Sequence, residues 1–279
     1  TIRSVANQSY PCSEVILLDD NSTDDSIRVA ESVGIDLKVV RASIGNAAAV
    51  RNLGAAHATS EWLAFLDSDD FWYPDHLMYA AQSLQSGTDI AYLSHHDAFY
   101  QDLEQLCPRV SPRSLGDTES SLTHRDFYNA YVDTNCGWPT SGMIVTKKRF
   151  EEVGGFDEEQ IRRHDADLFM RVVYCHYWKY RAAPGWVYRI RYSGNISSNQ
   201  AECAYFLLRA LLKNECSYPG VEMRRLISRQ SRKALSLNLK NQGSDFFFLS
   251  YKIGSPRVGA LHKLFYTLAW FYTSDFNFY

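Results

Sequence analysis

Short apolar runs alternate with helix-patterned segments through the first hundred residues, and two of those runs end in carboxylates. "EVILLDD" carries four consecutive apolar residues, Val15 to Leu18, before Asp19 and Asp20. Such a run reads as a strand buried on both faces of a parallel sheet. In "NSTDDSIRVAESVG", Ser22 or Thr23 can cap a helix, Asp24 and Asp25 suit its first turn, and Gly34 can end it. "LKVVRA" is the next strand, "NAAAVRNLGAAHA" a helix and "EWLAFLD" a strand. "YPDHLMYAAQSLQSG" is a helix with Pro74 in its first turn and Gly87 past its end, and "DIAYLSHH" is another strand. The alternation predicts an α/β fold: a mostly parallel sheet flanked by helices and joined by right-handed crossovers.

Ligands of such sheets bind beyond the carboxyl ends of the strands. Asp19, Asp20, Asp67, Asp69 and Asp70 all fall there. In "FLDSDDFW" three carboxylates lie within four residues. Two unit charges ~4 Å apart repel by about 4 kcal/mol at an effective dielectric near 20, so the loop needs a cation or water. Mg2+ and Mn2+ want oxygen ligands, and Mg2+ commonly takes one or two carboxylates plus substrate phosphate oxygens. A solvated acidic turn before the next helix is the competing reading. Asp19 and Asp20 can accept hydrogen bonds from a ribose or a base, or cap the helix that follows. Asp165, at the start of the helix in "IRRHDADLFMRVVYCHY", can act as a general base or as a helix cap. Leu168, Val172 and Cys175 form that helix's apolar stripe, and Asp167 is expected to pair with Arg171 at i,i+4. No HxH or HxxxH spacing supports zinc. Arg51 and Lys147 can contact phosphate or simply be solvated.

Charge divides the chain. Residues 1–199 carry 18 Lys+Arg against 27 Asp+Glu, whereas residues 200–279 carry 11 against 5. A basic tail therefore follows an acidic body, either to meet an acidic partner surface or to cover the body itself. The alternation weakens after residue 100, and after Gln200 the pattern is helical, so the expected organisation is a catalytic domain over 1–200 and a helical extension over 201–279. Six Cys without a CxxC pair indicate a reduced thiol set. No secretory signal is visible, and no run approaches the ~20 apolar residues of a membrane span. The opening "TIRSVANQSYP" reads as mid-helix without Met, so the true N-terminus is expected upstream.

In order and spacing, "SVANQSYPCSEVILLDDNSTDDS", "AAAVRNLGAAHATSEWLAFLDSDDFWYPDHL", "GGFDEE", "HDADLFMR" and "YRIRYSGNIS" resemble the motifs of family 2 inverting glycosyltransferases of the GT-A fold. The resemblance covers roughly residues 1–200. It implies a Rossmann-like sheet whose first strand is missing here, and a divalent cation, Mn2+ or Mg2+. It implies that Asp20, beside Asp19, binds the nucleotide base, that Asp67 lies near the ribose and that Asp69 binds the metal. Arg51 and Asn52 match the segment that shapes the donor site. Asp165 matches the catalytic base, and Trp138 to Met143 match part of the acceptor wall. His164 stands where the family usually has Glu, and Arg191 where it usually has His. No QxxRW motif is present, so single addition is expected rather than processive synthesis.

The implied reaction moves one sugar from a nucleotide-sugar donor, UDP being the expected nucleotide, to a hydroxyl of a glycan or lipid-linked glycan in surface polysaccharide assembly. The expected site is the cytoplasm, at the inner face of the membrane. There Arg224, Arg225, Arg229, Arg232 and Lys233, with the downstream "LFYTLAWFYT", can dock on anionic lipid or pack within the protein. No nucleic-acid partner is expected. Two other readings compete. One is a catalytically silent module that binds a nucleotide sugar or glycan. The other is a haloacid-dehalogenase-type phosphatase, which "DSDDFW" fits poorly.

Overall fold

The computed structural model describes residues 1–85, 87–109, 115, 118–134, 139–190, 199–215 and 221–240. In chain order the elements begin with α1 (Ile2–Ala6), β1 (Ile16–Asp20), α2 (Ser26–Glu31), β2 (Lys38–Ala42), α3 (Ala47–His57), β3 (Trp62–Ala64), β4 (Phe71–Trp72), α4 (His76–Ser83) and β5 (Asp89–Tyr100). They continue with β6 (Gln105–Cys107), β7 (Thr118–Leu122), α5 (His124–Thr134), β8 (Met143–Thr146), α6 (Lys147–Glu152), α7 (His164–Val173), β9 (Tyr177–Ile190), α8 (Gln200–Lys213) and α9 (Val221–Lys240). The chain divides into two units, Thr1–Ser193 and Gly194–Tyr279.

The first unit is α/β, as the alternation predicts, but its larger sheet is mixed rather than mostly parallel. The order is β3-β8-β5-β9-β4, with β6 on β5 and β7 on β9. β5 and β9 run parallel, while β8 lies antiparallel to both β3 and β5. The reversal comes from segments beyond residue 100, where the simple strand–helix alternation stops. β1 and β2 form a separate parallel pair. With one hydrogen-bonded neighbour, β1 leaves Ile16, Leu17 and Leu18 half-buried rather than buried on both faces.

Local chemistry sets the helix starts. Asn46, in an extended conformation, accepts from the backbone N–H groups of Ala48 and Ala49 and so caps α3. α2 begins two residues later than a Thr23 cap would give, because Asp24 accepts from Ser26 N–H instead. α7 ends at Val173, so Cys175 lies beyond it, exposed and at φ 58°, and is not part of the apolar stripe. The core centres on β5 and β9: Tyr92, Leu93, Trp178, Tyr180 and Trp186 are almost fully enclosed. In the second unit, α9 packs Met223, Leu226, Ile227 and Ala234 inward, and Gln230 donates to the carbonyl of Ala204 on α8.

Candidate active site

The carboxylates expected at the strand ends divide into tied and untied groups. Asp20, ending β1, accepts from the backbone N–H groups of Ile44 (2.6 Å) and Gly45 (2.8 Å), which anchors the loop leading into α3. Asp19 is buried and accepts from Ser22 N–H at 3.3 Å. Beyond β3, Asp67 is half-buried and ion-paired to Arg51. Asp69 is half-buried too, yet its carboxylate has no hydrogen bond or ion pair among the described residues. Asp70 is fully buried: it accepts from the Ser141 hydroxyl at 2.6 Å and from Arg189 N–H at 3.0 Å. Burial pushes its pKa up to about 7 against those two hydrogen bonds, and the charges of Asp67 and Asp69 add to the rise. The acidic run thus points its third carboxylate into the protein and leaves the middle one available.

Ser141 closes this loop from behind. Its hydroxyl oxygen accepts from Asp67 N–H at 3.0 Å while its proton goes to Asp70. Its carbonyl accepts from the Trp72 indole at 2.7 Å. The sequence sets Asp70 in the acidic run and Ser141 in the segment matched to the acceptor wall, but it does not show their pairing, which joins positions 71 residues apart.

Arg51 is the junction of the site. It projects from α3, pairs with Asp67 through Nη2, and donates from Nη1 to Nε2 of His164 at 2.8 Å. The same nitrogen donates to its own helix at the carbonyl of Ala47, and the guanidinium lies over the Phe156 ring, 5.7 Å from the centroid. One cation therefore joins α3, the acidic loop and the first turn of α7. Asp165, half-buried, is the next residue, and its carboxylate accepts from Ala166 N–H at 2.8 Å. Arg163, just before the helix, holds φ 56°, a left-handed conformation that sets the angle at which α7 enters the site. Asp167 is buried and paired with Arg171 at 2.7 Å, as its spacing predicts.

The "GGF" segment braces α3. Asn52 donates to the carbonyl of Phe156 at 2.9 Å, accepts from Phe156 N–H at 2.8 Å, and also donates to Glu158 at 3.2 Å. Its amide is committed to this brace. Lys147 donates to the carbonyl of Ala58 at 2.6 Å and lies 3.7 Å from Glu151, so it is occupied away from the acidic loop. Trp138 and Arg191 lie outside the described residues.

Among the described residues no group of three or more His, Cys, Asp or Glu side chains can hold a metal ion. The residues present fit a cation that takes one carboxylate from the chain and the rest of its ligands from phosphate oxygens and water, with Asp69 as the available donor.

Comparison with known proteins converges on one family. The model described as "Glycosyl transferase family 2" matches residues 1–143. The amylovoran biosynthesis glycosyltransferase AmsB of Erwinia amylovora is 30% identical over 183 residues, covering 61% of this chain and 58% of AmsB. The chain spans about half the length of the curated relatives it matches. Among solved structures, S. aureus TarS 1–349 in complex with UDP-GlcNAc superposes with a TM-score of 0.68 at 16% identity, covering 96% of this chain and 82% of that one. The mannosyltransferase PcManGT of Pyrobaculum calidifontis, in complex with GDP-Man and Mn2+, gives 0.59 at 18% identity, covering 98% and 76%. These likenesses establish a GT-A-type fold.

Proposed function

Because the chain belongs to glycosyl transferase family 2, we propose that it transfers one sugar, with inversion, from a nucleoside-diphosphate sugar to a hydroxyl of a glycan or lipid-linked glycan. UDP is the nucleotide we assign. The observation that carries this reading is the Arg51 junction. It ties the acidic loop at the end of β3 to the turn of α7 that bears Asp165. Donor and base are thereby held on one rigid frame, which transfer to a positioned hydroxyl requires.

The roles follow from the chemistry. Asp20, beside Asp19, binds the base, Asp67 lies near the ribose, and Arg51 and Asn52 hold the donor wall in shape. Asp69 would hold a Mn2+ or Mg2+ ion together with the donor diphosphate. When bound there, a divalent ion supplies charge neutralisation for the departing diphosphate. Asp165 takes the proton of the acceptor hydroxyl, whose oxygen attacks the anomeric carbon from the face opposite the diphosphate. A carbon–oxygen bond forms, the bond to the diphosphate breaks, and the nucleoside diphosphate leaves with both bonding electrons. One base suffices, unlike the two working carboxyls of a glycosidase. Trp138 belongs to the acceptor wall. We place the reaction on the cytoplasmic face of the membrane, with peripheral contact through the basic face of α9. No helix among the described residues is long and apolar enough to cross a membrane.

The test is calorimetric titration of UDP, GDP and dTDP with and without Mn2+. Metal-dependent binding of one nucleotide, abolished by Asp69→Ala, is the expected result. No binding by any of the three to the folded protein sinks this reading.

A further inference from the structure

His164 departs from the Glu usual at this position in the family, and its surroundings define what it does instead. The ring is nine-tenths buried, edge-on to Phe156 with centroids 5.7 Å apart. Its Nε2 lies 2.8 Å from Nη1 of Arg51. A guanidinium has donors and no acceptor. Nε2 must therefore carry a lone pair, and the single imidazole proton sits on Nδ1. The Nδ1 atom is itself buried with no hydrogen-bond partner among the described residues. Burial holds the ring's pKa down, and the groups facing it are Asp165, Arg51, Asp67 and Asp167.

From this geometry we infer that His164 is a positioning residue: its neutral, Nδ1-protonated ring acts as an acceptor that locks Arg51 against Asp67 and keeps the turn bearing Asp165 in register with the donor loop. Arg51 has two external anchors, Asp67 from the loop and His164 from α7. Without the second, the guanidinium still pairs with Asp67, but this polar tie between α7 and the donor side is lost. Protonating the ring has the same effect. Nε2 then becomes a donor facing another donor, and two cations oppose each other. A carboxylate here would also accept from Arg51, but it would add a negative charge beside Asp67 and Asp165. The chain thus carries a neutral acceptor where a Glu would bring a charge.

This inference rests on the transferase reading, and the experiment separates the two. Imidazole nitrogen shifts of the full chain labelled with 15N-histidine, with His164 assigned by comparison with His164→Gln, are read between pH 5 and 8. The expected spectrum at pH 7 has Nε2 unprotonated and Nδ1 protonated. A proton on Nε2 at pH 7 overturns the inference. Turnover is measured with UDP-N-acetylglucosamine and with GDP-mannose as donors. His164→Met, which keeps volume and removes the acceptor, is expected to lower kcat about 10–100-fold, the scale of a misplaced reacting group. His164→Gln, whose amide oxygen can accept from Arg51, is expected to restore most of that loss. Wild-type kcat in His164→Met, or no recovery of kcat in His164→Gln, overturns the positioning role. If the wild-type chain turns over neither donor, the transferase reading fails for those donors, and the imidazole spectrum still decides whether the lock exists.

Discussion

At the scale of single residues, the site is legible where chemistry is local and hidden where it depends on distant partners. The i,i+4 pair of Asp167 and Arg171 can be read from spacing alone, and it forms. The Arg51 junction cannot, because its partners lie 16 and 113 positions away. Neighbouring carboxylates diverge for the same reason: nothing within "DSDD" says that Asp70 will meet Ser141 while Asp69 has no hydrogen bond or ion pair among the described residues. Two substitutions probe this scale. Asp165→Asn removes the proposed base and leaves the Asp67–Arg51–His164 frame intact. It is expected to lower kcat by about 10²–10⁴-fold with donor affinity retained, as general-base loss typically does. Steady-state kinetics with parallel calorimetry checks it, and an unaffected kcat would remove Asp165 from the mechanism. Gly155 sits at φ 65°, and a Cβ there would lie 2.6 Å from Oδ1 of Asn52 and 3.2 Å from the Phe150 ring. Gly155→Ala combines left-handed strain with displacement of the brace on α3. It should destabilise the protein by about 2–4 kcal/mol in chemical denaturation, most of it from the steric conflict.

At the scale of elements, the early strands and helices follow from apolar runs and their punctuation. The antiparallel placement of β8 does not, since "MIVT" gives a strand but no direction. β8 matters because the turn before it delivers Ser141 to the acidic loop. Ser141→Ala would leave Asp67 N–H without its acceptor and remove one of two donors from the buried Asp70. Orphaned buried groups cost about 1–3 kcal/mol each, so a loss of about 2–4 kcal/mol is expected, with weaker donor binding as the loop relaxes. Retention of full stability and binding would mean that another group holds the loop. The second unit offers a different test. On α9, Arg224, Arg225, Arg229, Arg232 and Lys233 are exposed, whereas Leu226, Ile227, Gln230 and Ser231 are buried. With each basic residue contributing about 1 kcal/mol near an anionic surface, reversing Arg224, Arg225 and Arg229 to Glu should weaken sedimentation with phosphatidylglycerol vesicles by about 100-fold or more. Equal binding by the reversed and native proteins would assign this face to solvent.

At the scale of the whole molecule, buried titratable groups set how stability responds to acid, and they do not all act in one direction. His76, at the start of α4, and His96, on β5, are both buried, and desolvation drives each pKa down to about 3, helped by Arg181 for His76 and by His95 and Arg109 for His96. An unfolded histidine titrates near 6.5. Below that pH the unfolded chain gains protons that the folded one refuses, so their contribution is whole above pH 6.5 and drains away toward pH 3. Asp70 opposes them. With its folded pKa near 7 and an unfolded value near 3.8, it binds its proton in the native state first, and it stabilises the fold as pH falls through that window. Each group changes stability by about 1.4 kcal/mol per pH unit where only one state is protonated. Two histidines against one aspartate leave a net loss of about 1.4 kcal/mol per unit, or about 2 kcal/mol from pH 6.5 to pH 5. His95, also shifted down by burial, adds to the loss. Urea unfolding followed by the fluorescence of the buried Trp72, Trp178 and Trp186 should therefore show a lower midpoint at pH 5 than at pH 7. Asp70→Asn removes the opposing group and should steepen the decline to about 3 kcal/mol per unit. A midpoint that holds or rises on acidification would mean that the imidazoles take up protons within the fold, and the sheet centre would then have to be solvated rather than sealed.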